Sequence, residues 1–456
     1  MILVAAICSL FTSIAPLSPR PVPTDALRER LADKSLDIIG IVHFGLNTYT
    51  DKEWGYGDED PKLFNPEKFD ASQIVNSCKA AGIGGLVVVA KHHDGFCLWP
   101  SKTTGHNIKA SPWREGKGDY VREMADACRA AGLKFGVYVS PWDRNNPYYG
   151  TDRYVCIFHR QLKELLTNYG EIFEVWFDGA NGGTGWYGGA KEKRIIPPGY
   201  YRYAEVSRFL KELQPAACSF GQEDWSTFRW PGNEKGLLPE VCRATMPKTS
   251  DPRYGAFIAS GLRSGSLFQV PEADFPLRKG WFYHKREDGT TKTAETLMKL
   301  YLSSVGNGGI MNIGVSPTKE GLIDEADEKE LKRFSEIRRE FFAREITDES
   351  EFNVVVFEEN LIRGEQVDAW QFFADSKKVL WGTAIGLKRI RILEKPITAK
   401  ECRFHCQRHG GDFRGVTFKR YYVDPKLIDR IMNSADTVET QTAIMMKTSS
   451  TNKESK

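Results

Sequence analysis

The sequence predicts an α/β fold in which a (β/α)8-like TIM barrel is followed by a small C-terminal β-sandwich. The first observation behind this prediction is a repeated unit: the segment Cys78–Ile83 recurs fifty positions later as Cys128–Leu133, and each copy ends a helix at a glycine. The second is that the strands after these helices are apolar at successive positions, which is typical of a parallel sheet buried on both faces. The third is a change, beyond residue 345, to short strands of alternating polarity.

The predicted barrel spans residues 24–345, and about seven βα units over roughly 310 residues suit this fold with long loops. Asp70 and Asp119 stand where side chains cap the first turns of the two repeated helices. Residues 221–293 are rich in Gly, Pro and Arg and are predicted to be largely irregular. Further helices are predicted at Asp152–Tyr169, Tyr200–Leu213, Ala294–Val305 and Asp324–Arg344. Strands are predicted at Ile38–Phe44, Leu86–Ala90, Phe135–Val139, Phe173–Phe177, Ala216–Phe220 and Ile310–Ile313.

Residues 346–435 are predicted to form the sandwich, and residues 436–456 a disordered tail in which Thr, Ser, Lys and Glu provide no core-forming pattern. Sandwich strands are predicted at Phe352–Phe357, Val367–Ala374, Val379–Thr383 and Lys388–Leu393.

Residues 1–23 are predicted to be a signal peptide and leader, because the apolar run Met1–Phe11 is followed by small residues and prolines. A buried N-terminal strand is the alternative interpretation. No later stretch approaches the about 20 apolar residues that a membrane-spanning helix requires. We therefore expect an exported protein without a membrane span.

Composition excludes several classes of protein. The 63 Lys and Arg residues against 60 Asp and Glu give a net charge of +3, which is too balanced for a dedicated nucleic-acid-binding protein. A hydrophobic content of 41% is ample for a core and excludes a mostly disordered chain. The nine cysteines show no C-x-x-C spacing, so neither a zinc site nor a small disulfide scaffold is expected.

Polar and aromatic residues follow four successive predicted strands. In barrels of this type the catalytic groups gather at the carboxyl ends of the strands. Four such ends in succession favour a functional site over isolated loop hydrogen bonds. The residues in question are His43, His92, His93, Tyr138, Trp176 and Asp178.

Asp178 is the sharpest single candidate, since it follows an apolar strand and precedes Gly179. A carboxylate at the barrel mouth can act as nucleophile, base or metal ligand, and a helix N-cap is the structural alternative. Adjacent strand residues point to opposite faces, so His92 and His93 cannot both bind one metal from a regular strand. We expect hydrogen bonds to substrate hydroxyls instead, and no metal or cofactor.

Several motifs together resemble the family 29 glycoside hydrolases, the α-L-fucosidases. They read HFG from His43, EW from Glu53, KHHDGFCLW from Lys91, VWFDG from Val175 and GWFYH from Gly280. The resemblance extends from about residue 37 to about residue 393, and the set in this order is specific although no single motif is.

The resemblance implies a retaining exo-α-L-fucosidase that acts on fucosylated oligosaccharides or glycoconjugates. It implies that Asp178 is the nucleophile and that Glu272, in the segment Pro271–Trp281, is the general acid/base, with Asp274 as the rival. It further implies a preference for α-1,3/1,4-linked fucose, with Trp142–Asn145 and Asn233-Glu234 on the side of the leaving group. The implied substrate-binding residues are His43, Glu53, His92, His93, Tyr138 and Trp281.

Two other functions compete with this interpretation. A metal-dependent barrel hydrolase would use the same histidines and carboxylates as ligands. A non-catalytic sugar-binding protein would keep the stacking residues and lose a catalytic carboxylate, whereas both carboxylates are present here. The sequence leaves the oligomeric state open.

Overall fold

The computed structural model describes residues 20–411, 413 and 415–434. Most of the predicted signal segment and the whole predicted tail therefore lie outside the described residues.

Eight parallel strands close a barrel in which each strand pairs with its neighbours in sequence and β8 pairs with β1. The predicted fold class is therefore confirmed. The strands are β1 (Ile38–Val42), β2 (Gly85–Lys91), β3 (Lys134–Val139), β4 (Glu174–Phe177), β5 (Cys218–Phe220), β6 (Phe228–Arg229), β7 (Val270–Pro276) and β8 (Ile310–Val315).

The helices begin and end largely where the sequence predicts. The Asp70 carboxylate accepts hydrogen bonds from two backbone amides of its helix, and Asp119 caps the other repeated helix in the same way. Gly132 ends that second helix with a φ of 75°, a left-handed conformation that glycine adopts without strain. The helices are α1 (Asp25–Ala32), α2 (Leu46–Thr50), α3 (Ala71–Ala80), α4 (Tyr120–Ala131), α5 (Asp152–Asn168), α6 (Tyr203–Leu213), α7 (Ala294–Ser304), α8 (Glu325–Phe341) and α9 (Pro425–Met432).

The stretch predicted to be irregular contains two barrel strands. β6 has only two residues and follows β5 without an intervening helix, and β7 carries two prolines and two carboxylates. Neither has the apolar composition of the other barrel strands, which is why the sequence pattern did not indicate them. Two short antiparallel pairs, Gly183–Gly185 with Glu192–Arg194 and Thr245–Met246 with Leu267–Phe268, lie in the loops at the barrel mouth.

The C-terminal part consists of two three-stranded antiparallel sheets. One has the order β12–β9–β14 and the other β11–β10–β13, and aromatic side chains such as Phe357 and Trp370 pack between them. Helix α9 leaves the sheets and packs its apolar face against α7 of the barrel. The sheet strands are β9 (Phe352–Glu359), β10 (Val367–Ala374), β11 (Lys377–Gly382), β12 (Arg389–Ile397), β13 (Cys402–His409) and β14 (Val416–Tyr421).

Candidate active site

A cavity of about 360 Å³ opens at the carboxyl ends of the barrel strands. Strands β1 to β7 and their following loops all contribute side chains to its wall, which is the arrangement expected for a barrel enzyme. Six of the residues predicted from the sequence line it: His43, His92, His93, Tyr138, Asp178 and Trp281. Two do not, Glu53 and Glu272.

The Asp178 carboxylate follows β4 and is held by two hydrogen bonds. Its Oδ2 accepts from the Tyr138 hydroxyl at 2.8 Å, and its Oδ1 accepts from the backbone amide of Ala180 at 2.6 Å. No helix begins at this turn, because the next one starts at Tyr203, so Asp178 is not a helix cap. Donors on both oxygens favour the ionised carboxylate and fix its direction.

His92 and His93 have opposite hydrogen-bonding characters. The Ser140 hydroxyl donates to the carbonyl of Trp142 and can therefore only accept from His93 Nδ1 at 2.7 Å, which leaves His93 Nε2 as an acceptor, 3.9 Å from Asp178 Oδ2. The Asn47 amide donates to His92 Nδ1 at 3.3 Å, which leaves His92 Nε2 as a donor. One donor beside one acceptor suits sugar hydroxyls, which both donate and accept.

Burial keeps the three cavity histidines neutral. Desolvation, followed by the neighbouring His93, lowers the pKa of His43 from 6.5 to about 3. Desolvation lowers the pKa of His92 well below 6.5, and it lowers the pKa of His93 although Asp178 opposes that shift. The histidines therefore serve as neutral hydrogen-bonding groups near pH 7.

We expect His43 to make the protein less stable as the pH falls. Between pH 6.5 and about 3 the unfolded chain binds a proton at this residue and the folded chain does not, so the free energy of unfolding decreases with falling pH. His43→Gln should reduce that slope by about 1.4 kcal/mol per pH unit between pH 4 and 5.5. Urea unfolding at a series of pH values measures the slope, and identical slopes in both proteins would contradict the burial argument.

Glu53 lies behind the cavity wall, contrary to its predicted role as a sugar ligand. Its carboxylate accepts from the backbone amides of Trp281 at 2.9 Å and Phe282 at 3.2 Å, and it contacts His284 Nε2 at 2.6 Å. The other ring nitrogen of His284 contacts Asp51 at 2.8 Å. Glu53 thus joins the loop after β1 to the loop after β7 and holds Trp281 in place.

We expect Glu53→Gln to lower kcat/KM about tenfold, because the amide offers one acceptor oxygen where two backbone donors and an imidazole converge. The folded state should persist, since the loops keep their other contacts. Steady-state kinetics on an aryl fucoside measure the effect. Asp58→Asn changes an exposed carboxylate of the same loop and serves as the control; an equal loss in both variants would refute a specific role for Glu53.

Glu272 is sealed inside the barrel below the cavity. It is 0% exposed, and its Oε1 accepts from Trp176 Nε1 at 3.0 Å and from Asn312 Nδ2 at 2.7 Å. It shares this buried layer with Glu174, and burial raises the pKa of both carboxyls. Because Trp176 separates it from the cavity, this geometry argues against the predicted role of Glu272 as general acid/base.

Two other carboxyl groups do line the cavity. Asp274, two residues further along β7, is 2% exposed, and burial together with Glu234 raises its pKa well above the ordinary range. Glu234 lies in the loop after β6, at the mouth, where its Oε2 accepts from Trp281 Nε1 at 2.9 Å. The sequence assigned Glu234 only to the side of the leaving group, because a two-residue strand gave no sign that a barrel strand precedes it.

Aromatic rings form much of the remaining wall. Trp176 stacks on Phe220 with ring centroids 3.9 Å apart, and Trp281 lies over His43 at 5.0 Å. Trp54 and Trp230 complete four tryptophans at the cavity. Such a wall suits the apolar faces of a sugar.

The family model for α-L-fucosidase matches residues 28–337. The chain belongs to the α-L-fucosidase family. The match covers more than half of the sequence and includes every barrel strand. The predicted membership in glycoside hydrolase family 29 is therefore confirmed, and the protein is a glycoside hydrolase of the α-L-fucosidase class.

Individual relatives agree with the family model. Alpha-L-fucosidase 1 of Arabidopsis thaliana is 36% identical over 80% of this chain and 69% of its own length. The crystal structure of a glycoside hydrolase 29 family member from an unknown rumen bacterium is 37% identical, has a TM-score of 0.82, and matches 89% of this chain and 78% of its own. A Ruminococcus gnavus family 29 fucosidase in complex with fucose is 25% identical with a TM-score of 0.76, over 91% of this chain and 97% of its own.

Two searches of the described residues gave no candidates. Within residues 20–434, apart from the two undescribed positions, no group of three or more His, Cys, Asp or Glu side chains is arranged to hold a metal ion. In the same part of the chain no helix is long and apolar enough to cross a membrane.

Proposed function

We propose that this fucosidase hydrolyses terminal α-linked L-fucose from glycans by double displacement, with retention of the anomeric configuration. The observation that carries the proposal is the Asp178 carboxylate, oriented by Tyr138 and Ala180 at a cavity that also contains Glu234. One carboxylate to attack the anomeric carbon and one carboxyl group to protonate the leaving oxygen are what a retaining glycosidase requires.

In the first step an oxygen of Asp178 attacks the anomeric carbon, the glycosidic C–O bond breaks, and the acid gives its proton to the leaving oxygen. In the second step the same group, now a base, takes a proton from water. The water oxygen then displaces Asp178 and releases α-L-fucose.

We assign the acid/base role to Glu234 in place of Glu272. The leaving group departs toward solvent, so the acid must stand at the mouth, and Glu234 is an exposed residue there, whereas Glu272 is sealed and Asp274 is deep in the wall. The raised pKa of Asp274 suits a neutral carboxyl that donates a hydrogen bond to a fucose hydroxyl.

The remaining side chains would select fucose. His92 and His93 offer a donor and an acceptor to hydroxyls, and the aromatic wall would favour the 6-methyl group by roughly 1–2 kcal/mol over a polar pocket. This assignment agrees with the fucose complex of the Ruminococcus gnavus relative.

The proposal includes two finer points. The first is a preference for α-1,3/1,4-linked fucose, which rests on the resemblance of the segment Pro271–Trp281. The second is export from the cell, which rests on the apolar N-terminal run Met1–Phe11.

Incubation of the protein with an aryl α-L-fucoside and a panel of α-1,2-, α-1,3-, α-1,4- and α-1,6-fucosylated oligosaccharides tests the proposal. We expect free fucose from the aryl fucoside and the highest kcat/KM on the α-1,3 and α-1,4 members, with no change on addition of EDTA. Absence of fucose from every substrate would refute the activity, and loss of turnover with EDTA would instead favour the metal-dependent hydrolase.

A further inference from the structure

A second cavity, also of about 360 Å³, adjoins the active-site cavity. The two share Phe177, Asp178, Gly179 and Gln222 in their walls. The second cavity lies between the loop after β4 and the loop after β5, and residues 196–203 close its far side.

Its position follows from the proposed chemistry. The anomeric carbon must lie between the carboxyl groups of Asp178, after β4, and Glu234, after β6. Because β5 is the strand between them, the leaving group departs over the loop after β5. That loop, residues 221–226, forms one wall of the second cavity.

The cavity has the surface chemistry of a sugar site. Tyr203, Trp225 and Phe177 form an aromatic cluster with ring centroids 5.5–6.3 Å apart. The indole Nε1 of Trp225 is buried and has no hydrogen-bond partner. An aromatic face with an unused donor suits a ligand that has both an apolar ring face and hydroxyl groups.

The charges at the cavity indicate a neutral ligand. None of the residues that line it is Lys, Arg or His, and two are carboxylic acids, Asp178 and Glu223. A sulfated or sialylated sugar would face those carboxyl groups without a cation to pair with.

We propose that this cavity is a subsite for the leaving group, and that it binds a neutral hexose or N-acetylhexosamine of the glycan that carries the fucose. The inference rests on the proposed function, because it takes the path of the leaving group from the roles of Asp178 and Glu234. Trp225 supplies the stacking face and a hydrogen bond to a sugar oxygen.

Kinetics on two substrates test the subsite. A fucosylated N-acetyllactosamine trisaccharide reaches it, whereas 4-nitrophenyl α-L-fucoside lacks the second sugar. We expect Trp225→Ala to lower kcat/KM at least about tenfold on the trisaccharide and less than about twofold on the aryl fucoside. Trp225→Phe, which keeps a ring and removes Nε1, should give an intermediate loss, and Tyr203→Phe keeps the ring cluster intact for comparison. Trp381→Ala changes an exposed tryptophan of the sandwich and is the matched control.

Equal losses on both substrates, or no loss on either, in Trp225→Ala and Trp225→Phe would overturn the subsite. Titration calorimetry with N-acetyllactosamine alone separates this outcome from a failure of the proposed function. The wild type should bind the disaccharide and Trp225→Ala should bind it at least about tenfold more weakly, whether or not fucose is released. Equal affinities would overturn the subsite, and a wild type that binds the disaccharide but releases no fucose would overturn only the proposed function.

Discussion

Replacing Asp178 with alanine is expected to lower kcat at least about 10⁴-fold, the largest effect of any single substitution in this protein. The substitution removes the nucleophile and leaves space on the β face of the anomeric carbon. Folding should be unaffected, because the carboxylate is partly exposed and makes only two hydrogen bonds. Turnover of 4-nitrophenyl α-L-fucoside measures the loss.

Added azide provides a second measurement on the Asp178→Ala variant. Azide should enter the vacated space and displace nitrophenolate to give β-fucosyl azide, the inverted product. Asp152→Ala, which removes an exposed carboxylate of α5 outside the cavity, should retain full turnover. Near-normal turnover of Asp178→Ala would exclude it as the nucleophile.

Glu234→Ala is expected to produce a loss that depends on the leaving group. The acid contributes about 10²–10⁴-fold when the leaving oxygen needs a proton, so turnover of an oligosaccharide should fall by that factor. Formation of the fucosyl-enzyme from the nitrophenyl substrate should change little, because nitrophenolate departs without protonation. Azide should then displace Asp178 and give α-fucosyl azide, the opposite anomer from the one expected with Asp178→Ala.

Glu272→Gln and Asp274→Asn are the comparisons for this prediction. Glu272→Gln keeps a polar group within the buried layer and should leave the ratio of the two substrate rates unchanged. Asp274→Asn should weaken both substrates alike, since it changes contact with fucose itself. A leaving-group-dependent loss in Glu272→Gln, with none in Glu234→Ala, would restore the original assignment.

Much of the barrel could be predicted from local sequence. Strands β1 to β4 have apolar and β-branched residues at successive positions, and Asp70 and Asp119 mark helix starts through capping hydrogen bonds that depend only on nearby residues. Asp178 followed from the same pattern, because the end of an apolar strand fixes which residue reaches the mouth.

The acid could not be predicted in this way. Alternation along β7 predicts that Glu272 and Asp274 share a face, but not how deep each lies along the barrel axis. Glu272 pairs with Ile310 at the start of β8, below Trp176, while Asp274 pairs with Asn312 and reaches the cavity. Depth depends on the register between strands that are distant in sequence, and register is absent from local composition.

Glu234 and Glu53 show the same limit in loops. Glu234 reaches the mouth because a two-residue strand places the start of its loop, and Glu53 lies behind the wall because the amides of Trp281 and Phe282 bind its carboxylate. Both positions result from contacts between segments that no local pattern connects.

The anomer of the first released fucose tests the central claim most directly. Proton NMR spectra recorded during the first minutes of trisaccharide hydrolysis by the wild-type protein separate α- from β-L-fucose before mutarotation mixes them. Double displacement through Asp178 predicts that α-L-fucose appears first and the β anomer only later. Initial release of β-L-fucose would contradict a retaining mechanism and the roles assigned to both carboxyl groups.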